Sequence, residues 1–170
     1  MSYRTTANMK NILAAKNKKL LKGSEKVKVV KTCNCTKEEC PLQGRCLLDN
    51  IVYQAKVETA TDTQTYVGLC STTFKLRYGN HKMSFNNETY KSKSSLSVYI
   101  WKLKEKNENY KIKWDVIGRA QPFSPISGVC NLCTLEKYHI IFTPELATIN
   151  KREEVNSFCL HKIPVLLDKT

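Results

Sequence analysis

The chain has 170 residues, enough for one domain with an appendage or two very small ones, and its 41% apolar content suffices for a compact core. No apolar stretch reaches the roughly 18 residues that a membrane-spanning helix needs, and the N-terminus lacks the continuous apolar run of a secretion signal. The formal charge of +13 is uneven: residues 1–32 carry nine Lys or Arg against Glu25, a net of +8, which leaves +5 for the remainder. A basic arm on a mildly basic body suits a polyanionic partner, most simply nucleic acid, through release of counterions from phosphates. A solvated tail that keeps the protein soluble is the plainer alternative. An anionic membrane surface and a basic targeting segment are weaker ones.

In chain order, residues 1–32 form a polar, basic arm with a weak helical stripe at Met9, Ile12, Leu13, Leu20 and Leu21. Residues 33–48 are Cys-rich, with Pro41 and Gly44 as turn residues. The main domain runs over 49–170. Residues 51–59 are rich in β-branched and aromatic side chains and read as a strand. Thr59 to Gln64 makes a turn, and 65–70 reads as a second strand antiparallel to the first. A helix is expected from Ser71 or Thr72, whose hydroxyl would accept its first amides. On it Phe74, Tyr78, His81 and Phe85 share one face, while Arg77 and His81 are i, i+4 neighbours whose polar ends converge. Gly79 inside this helix suggests a close backbone approach.

Residues 86–95 are a polar loop. A second helix is expected over 95–106, with Leu96, Tyr99, Ile100 and Leu103 as its apolar face. Tyr110, Ile112, Trp114 and Val116 alternate with polar residues as a third strand. Pro122 and Pro125 break the chain, and a helix over 131–142 carries Glu136. The order β-β-α-α-β-α predicts an α+β fold: a small three-stranded antiparallel-type sheet flanked by helices.

Eight cysteines without a secretion signal point to metal rather than disulfides. Cys33, Cys35, Cys40 and Cys46 supply four thiolates, a set that Zn²⁺ favours. So short a segment has no core of its own, and metal would supply its folding energy. Free or redox-active thiols are the alternative. Cys130 and Cys133 have metal-ligand spacing at a helix start, and Cys159 with His161 would close a second site. A thioredoxin-like redox pair is disfavoured by the surrounding order of elements, and mixed ligand sets between the clusters stay open. Cys70, outside both, reads as a small buried hydrophobe. His139 reads as a packing residue or a site-lining one.

Taken singly, Tyr53 and Tyr66 are ordinary strand residues, Arg77 a solvated helix residue, His81 a core histidine and Glu136 a surface charge near a helix start. Together, Ile51-Val52-Tyr53, Tyr66-Val67-Gly68, Arg77, Glu136 and Asn150 resemble, in order, the motifs of the GIY-YIG nuclease superfamily over roughly 50–155. Ile51 stands where that family has Gly, and Val67 where it has Ile. The segments Cys40–Cys46, Arg77–Phe85, Cys130–Cys133 and Ile149–Arg152 resemble the endonuclease domain of Penelope-like retroelements. The chain has no room for a polymerase and would be an isolated domain or a free-standing relative.

The resemblance implies a DNA endonuclease in which Glu136 holds catalytic Mg²⁺ or Mn²⁺ and Arg77 clamps phosphate oxygens. It further implies Tyr66 as base or base relay, its phenol acidified by Arg77. Tyr53 would position water or phosphate, His81 would relay a proton, and Asn150 would buttress the site or the bound strand. Zinc would be structural. The implied partners are DNA and, in the retroelement setting, a reverse transcriptase domain with its RNA, without membrane, in the nucleus. The competing expectation is a non-catalytic zinc-stabilised DNA-binding module; RNA binding by the arm is a third.

Overall fold

A computed structural model describes residues 32–35, 40–123, 128–151, 159 and 161. The basic arm and its helical stripe lie outside the described residues, apart from Thr32. The described residues belong to one compact unit, Thr32–Thr170.

Strands β1 (Ile51–Thr59) and β2 (Thr63–Cys70) form an antiparallel hairpin. β2 starts two residues before the expected position because Glu58 and Val57 still pair with Thr63 and Gln64. Its turn is closed by Thr59, whose N–H donates to the Asp62 carbonyl at 2.9 Å. Strand β3 (Tyr110–Arg119) pairs antiparallel on the other side of β1, giving the order β2-β1-β3. Being central, β1 buries apolar residues on both faces, Ile51, Tyr53, Ala55 and Val57 on one and Val52 on the other. Opposite Val52 and Tyr53 the β3 partners jump from Gly118 to Val116. This bulge leaves Ile117 as an extra residue and turns it toward the second core.

Helices α1 (Phe74–Asn86) and α2 (Ser95–Glu105) pack on the Tyr53 face, burying Phe74, Phe85, Leu96, Ile100 and Leu103 with Trp114. Helix α3 (Asn131–Phe142) covers the opposite face, placing Leu132 and Ile140 against Val52 and Val67. Each such buried apolar side chain contributes about 1.5–3 kcal/mol. Among the described residues the result is an α+β fold with a three-stranded antiparallel sheet and three α-helices, as the order of elements predicts.

Two local expectations are corrected. The N-cap of α1 is Thr73, and no side chain caps it. Instead the Phe74 and Lys75 amides donate to the Leu48 and Cys46 carbonyls, each at 2.8 Å. The Cys-rich segment thus takes over the role a hydroxyl was expected to fill. Gly79 is exposed and a Cβ there would meet nothing within 4 Å, so it marks no close approach. The close approaches occur at Gly68 and Gly118.

Candidate active site and metal centres

The i, i+4 pair on α1 converges as its spacing predicts, and what it converges on is Tyr53. The Arg77 Nε–H donates to the Tyr53 hydroxyl at 2.9 Å, and His81 Nε2 lies 2.7 Å from the same oxygen. With Arg77 obliged to donate, the phenol proton goes to His81 Nε2, and the neutral imidazole carries its own proton on Nδ1. Tyr53 is fully buried and His81 is 3% exposed. Burial raises the Tyr53 phenol to about 12 against the pull of Arg77, with the charges of Cys70 and Glu136 acting upward too. Burial, then the Arg77 charge, holds His81 down to about 3. Burial opposes the Arg77 charge, but the Tyr53 and Tyr66 phenols and the Cys70 thiol outweigh it and push its pKa above the ordinary value. At neutral pH the cluster is therefore a neutral phenol and a neutral imidazole organised around one permanent cation.

The Tyr66-Val67-Gly68 tripeptide explains why a glycine is needed beside them. Gly68 pairs with Tyr53 across the hairpin. A Cβ on Gly68 would fall 2.6 Å from the Tyr53 hydroxyl oxygen and 2.9 Å from Tyr66 Cε1. The Tyr66 ring lies 6.5 Å from that of Tyr53 and 6.2 Å from that of His81, centroid to centroid. Trp114 backs the group, 5.2 Å from the His81 ring. Its place follows from the period-two alternation of β3, although nothing in the sequence ties it to the site. The family resemblance implies that the Tyr53 hydroxyl positions water or phosphate. In the structure that hydroxyl is already hydrogen-bonded to Arg77 and His81 and buried.

Asn150 pins the middle of the same tripeptide. Its side-chain amide accepts from the Val67 N–H at 2.8 Å and donates to the Val67 carbonyl at 2.9 Å, as a neighbouring strand would. The Ile149 N–H donates to the Thr65 carbonyl at 2.8 Å, and the Thr65 N–H donates to Thr148 Oγ1 at 2.8 Å. The segment before Lys151 thereby covers the open edge of β2. Thr65 and Thr148 carry no such signal in sequence, because the pairing spans 83 positions.

Glu136 comes from the opposite side. It lies mid-helix on α3, whose first turn contains no acidic residue, too far from the helix start to gain from its dipole. It stands four residues from both Leu132 and Ile140, which are buried against the sheet, and so shares their face. It is half-buried, and its charge reaches Tyr53. On the neighbouring face Leu135 and His139 pack over Gly118, where a Cβ would meet Leu135 Cδ2 at 2.7 Å and His139 Nε2 at 3.8 Å. His139 is thus a packing residue. Cys70 is a buried member of the first core, its thiol raised to about 11 by burial.

Both predicted Cys clusters assemble. Cys33, Cys35, Cys40 and Cys46 bring their sulfurs within 4.8 Å of one another, as do the ligand atoms of Cys130, Cys133, Cys159 and His161. In the first, Cys46 Sγ lies 3.5 Å from both Cys35 Sγ and Cys33 Sγ. In the second, His161 Nδ1 stands 3.6, 3.2 and 3.7 Å from the Cys130, Cys133 and Cys159 sulfurs. A tetrahedral Zn²⁺ with bonds of about 2.3 Å to S and 2.0 Å to N requires edges of about 3.8 Å and 3.5 Å. Either cluster could therefore hold a metal ion such as zinc, and no mixing of ligands between them is needed. Burial opposes ionisation of Cys40, but backbone N–H groups of Gly44, Leu42 and Cys46 turned onto its sulfur draw the thiol down to about 6. Such donors favour thiolate over thiol, as a metal ligand requires.

The first cluster sits beneath the start of α1, which carries Arg77 and His81. The second sits at the start of α3, which carries Glu136, with Cys130 as its N-cap residue. Comparison with models of protein families, with curated proteins and with solved structures returns no match.

Proposed function

We propose that the chain is a metal-dependent DNA endonuclease of GIY-YIG type, braced by structural zinc in both Cys clusters. The observation that carries this reading is the Tyr53 hydroxyl shared by Arg77 and His81 beneath Gly68. A buried phenol whose two hydrogen bonds hold an arginine and a histidine in place is costly unless their placement matters. The Arg77 Nε is held by Tyr53, and the terminal amino groups form the fork that takes phosphate oxygens bidentately.

Glu136 is the residue to hold Mg²⁺ or Mn²⁺, a hard cation satisfied by one or two carboxylates with waters and phosphate, and when bound it would neutralise charge on the phosphate and leaving oxygen. Tyr66, beside the Arg77 charge, would take a proton from the attacking water. His81, neutral and buried, orients Tyr53. In a retroelement setting, in the nucleus, the nick would expose a 3′-hydroxyl for a reverse transcriptase and its RNA. The complete burial of Tyr53 favours a second reading, a zinc-stabilised DNA-binding module without catalysis, since a sealed phenol also serves a core.

Incubation of zinc-loaded protein with supercoiled plasmid and Mg²⁺ or Mn²⁺ separates the two. Nicking by the wild type, lost by at least about a hundredfold in Glu136→Ala and Arg77→Ala with DNA binding and zinc content retained, is expected. Binding without cleavage under any divalent metal would establish the second reading.

A further inference from the structure

Beside Arg77 and His81 opens a cavity of about 300 Å³, lined also by Asn80, Met83, Tyr90, Lys93 and Ser94. We infer that this cavity is a subsite for one nucleotide next to the scissile phosphate, with the phosphate between Arg77 and Lys93 and the base against Tyr90. The inference rests on the phosphodiesterase reading, which places the scissile phosphate at Arg77.

Three observations converge. The lining is electrostatically one-signed: it holds two cations, Arg77 and Lys93, and no carboxylate. Such a concavity selects an anion. Its size falls at the lower bound of small-molecule pockets, about 300 Å³, and so suits a single nucleotide better than a length of strand. Its composition pairs charge with a ring and a thioether: Tyr90 and Met83 offer apolar contact, and Asn80 an amide able to meet a base edge. Aromatic stacking with cationic contacts to the backbone is how single nucleotides are held without regard to sequence.

The wall that carries Tyr90 and Lys93 is built, although the sequence shows only a polar loop. The Asn87 side chain accepts from the Thr89 N–H at 3.0 Å and so caps a short 3₁₀ turn, Glu88–Tyr90. The Lys93 N–H donates to the Tyr90 carbonyl at 3.1 Å, which fixes the spacing of these two residues. Ser94 ends the loop by capping α2, its Oγ accepting from the Ser97 N–H at 3.1 Å. Ser84, also in the lining, is equally tied. The Ser84 carbonyl accepts from Trp101 Nε1 at 2.8 Å and from Ser97 Oγ at 3.1 Å, locking the end of α1 to α2.

The test titrates the zinc-loaded full chain with thymidine 5′-monophosphate, and separately with inorganic phosphate, reading backbone amide shifts by NMR without catalytic metal. Saturable shifts confined to Arg77–Ser94, with the nucleotide binding tighter than phosphate, are expected. Tyr90→Ala should weaken the nucleotide by roughly tenfold or more and leave phosphate unchanged, as loss of base–aromatic stacking requires. Lys93→Ala should weaken both ligands. Absence of shifts, equal affinity for phosphate and nucleotide, or shifts scattered over the basic surface would overturn the subsite. Nucleotide binding in a protein that nicks no plasmid would support the pocket while sinking the nuclease reading. Plasmid nicking with unchanged KM in both variants would do the reverse.

Discussion

At the residue scale the site depends on one oxygen. Removing it in Tyr53→Phe leaves His81 Nε2 without its donor in a sealed environment and Arg77 without its Nε acceptor. A loss of about 1–3 kcal/mol in unfolding free energy is expected, the usual consequence of an unpaired buried polar group, measured by urea denaturation of zinc-loaded protein. A change within about 0.5 kcal/mol, as for an ordinary surface substitution, would mean the cluster relaxes freely. His81 makes a second prediction. The folded protein holds it down to about 3, whereas its ordinary value is 6.5. Between those values the unfolded chain binds more protons, so stability is complete above pH 6.5 and falls as pH drops, by up to about 1.4 kcal/mol per unit. Tyr53, Tyr66, Arg77, Phe85 and Trp114 surround the ring, and Arg77 is their permanent charge. Acid also strips metal from thiolates. The comparison is therefore with His81→Gln, which keeps an acceptor for Tyr53, keeps both clusters and cannot titrate. Wild type should lose stability more steeply than this variant between pH 6.5 and 4; parallel curves would contradict it.

At the scale of elements, each helix that bears a site residue begins at a Cys cluster. The start of α1 is satisfied by the carbonyls of Cys46 and Leu48 rather than by its own cap residue. Metal at the first cluster should therefore be felt in the first turn of α1, three residues before Arg77. Elemental analysis of the wild type is expected to give two zinc per chain, and of Cys33→Ser one. In Cys33→Ser the Phe74 and Lys75 amides should exchange with solvent at least roughly tenfold faster, equivalent to about 1.4 kcal/mol of lost local protection, while amides of α3 stay protected. Unchanged exchange at Phe74 and Lys75 would show that α1 holds its start without metal. The polar segment after β2 illustrates what periodicity cannot supply. It predicts a helix start from hydroxyl residues, yet the acceptors come from backbone carbonyls more than 20 positions upstream, and a carbonyl has no side-chain signature.

At the scale of the whole molecule, the charge of +13 is concentrated in an arm whose function is electrostatic if the DNA reading holds. Replacing Lys16, Lys18, Lys19 and Lys22 by Gln should reduce the slope of log affinity against log salt for duplex DNA by up to about 4, because each phosphate that a lysine neutralises releases nearly one counterion. An unchanged slope would leave the arm a solvated tail. The elements themselves are legible along the chain: alternation in β3, helical spacing in α2 and the Phe74–Phe85 face of α1 are local patterns, and period alone distinguishes strand from helix. The ligand sets of both Cys clusters are legible too, because thiols with no disulfide role have little else to do together. Only the folded arrangement shows that Tyr53 is sealed and hydrogen-bonded to Arg77 and His81, that Asn150 and Thr148 close the edge of β2, and that Gly68 and Gly118, not Gly79, are the glycines required for space. Each of those depends on which segments meet across the sheet, and burial, hydrogen-bond partners and the pKa values they shift are properties of that meeting rather than of any residue's neighbours along the chain.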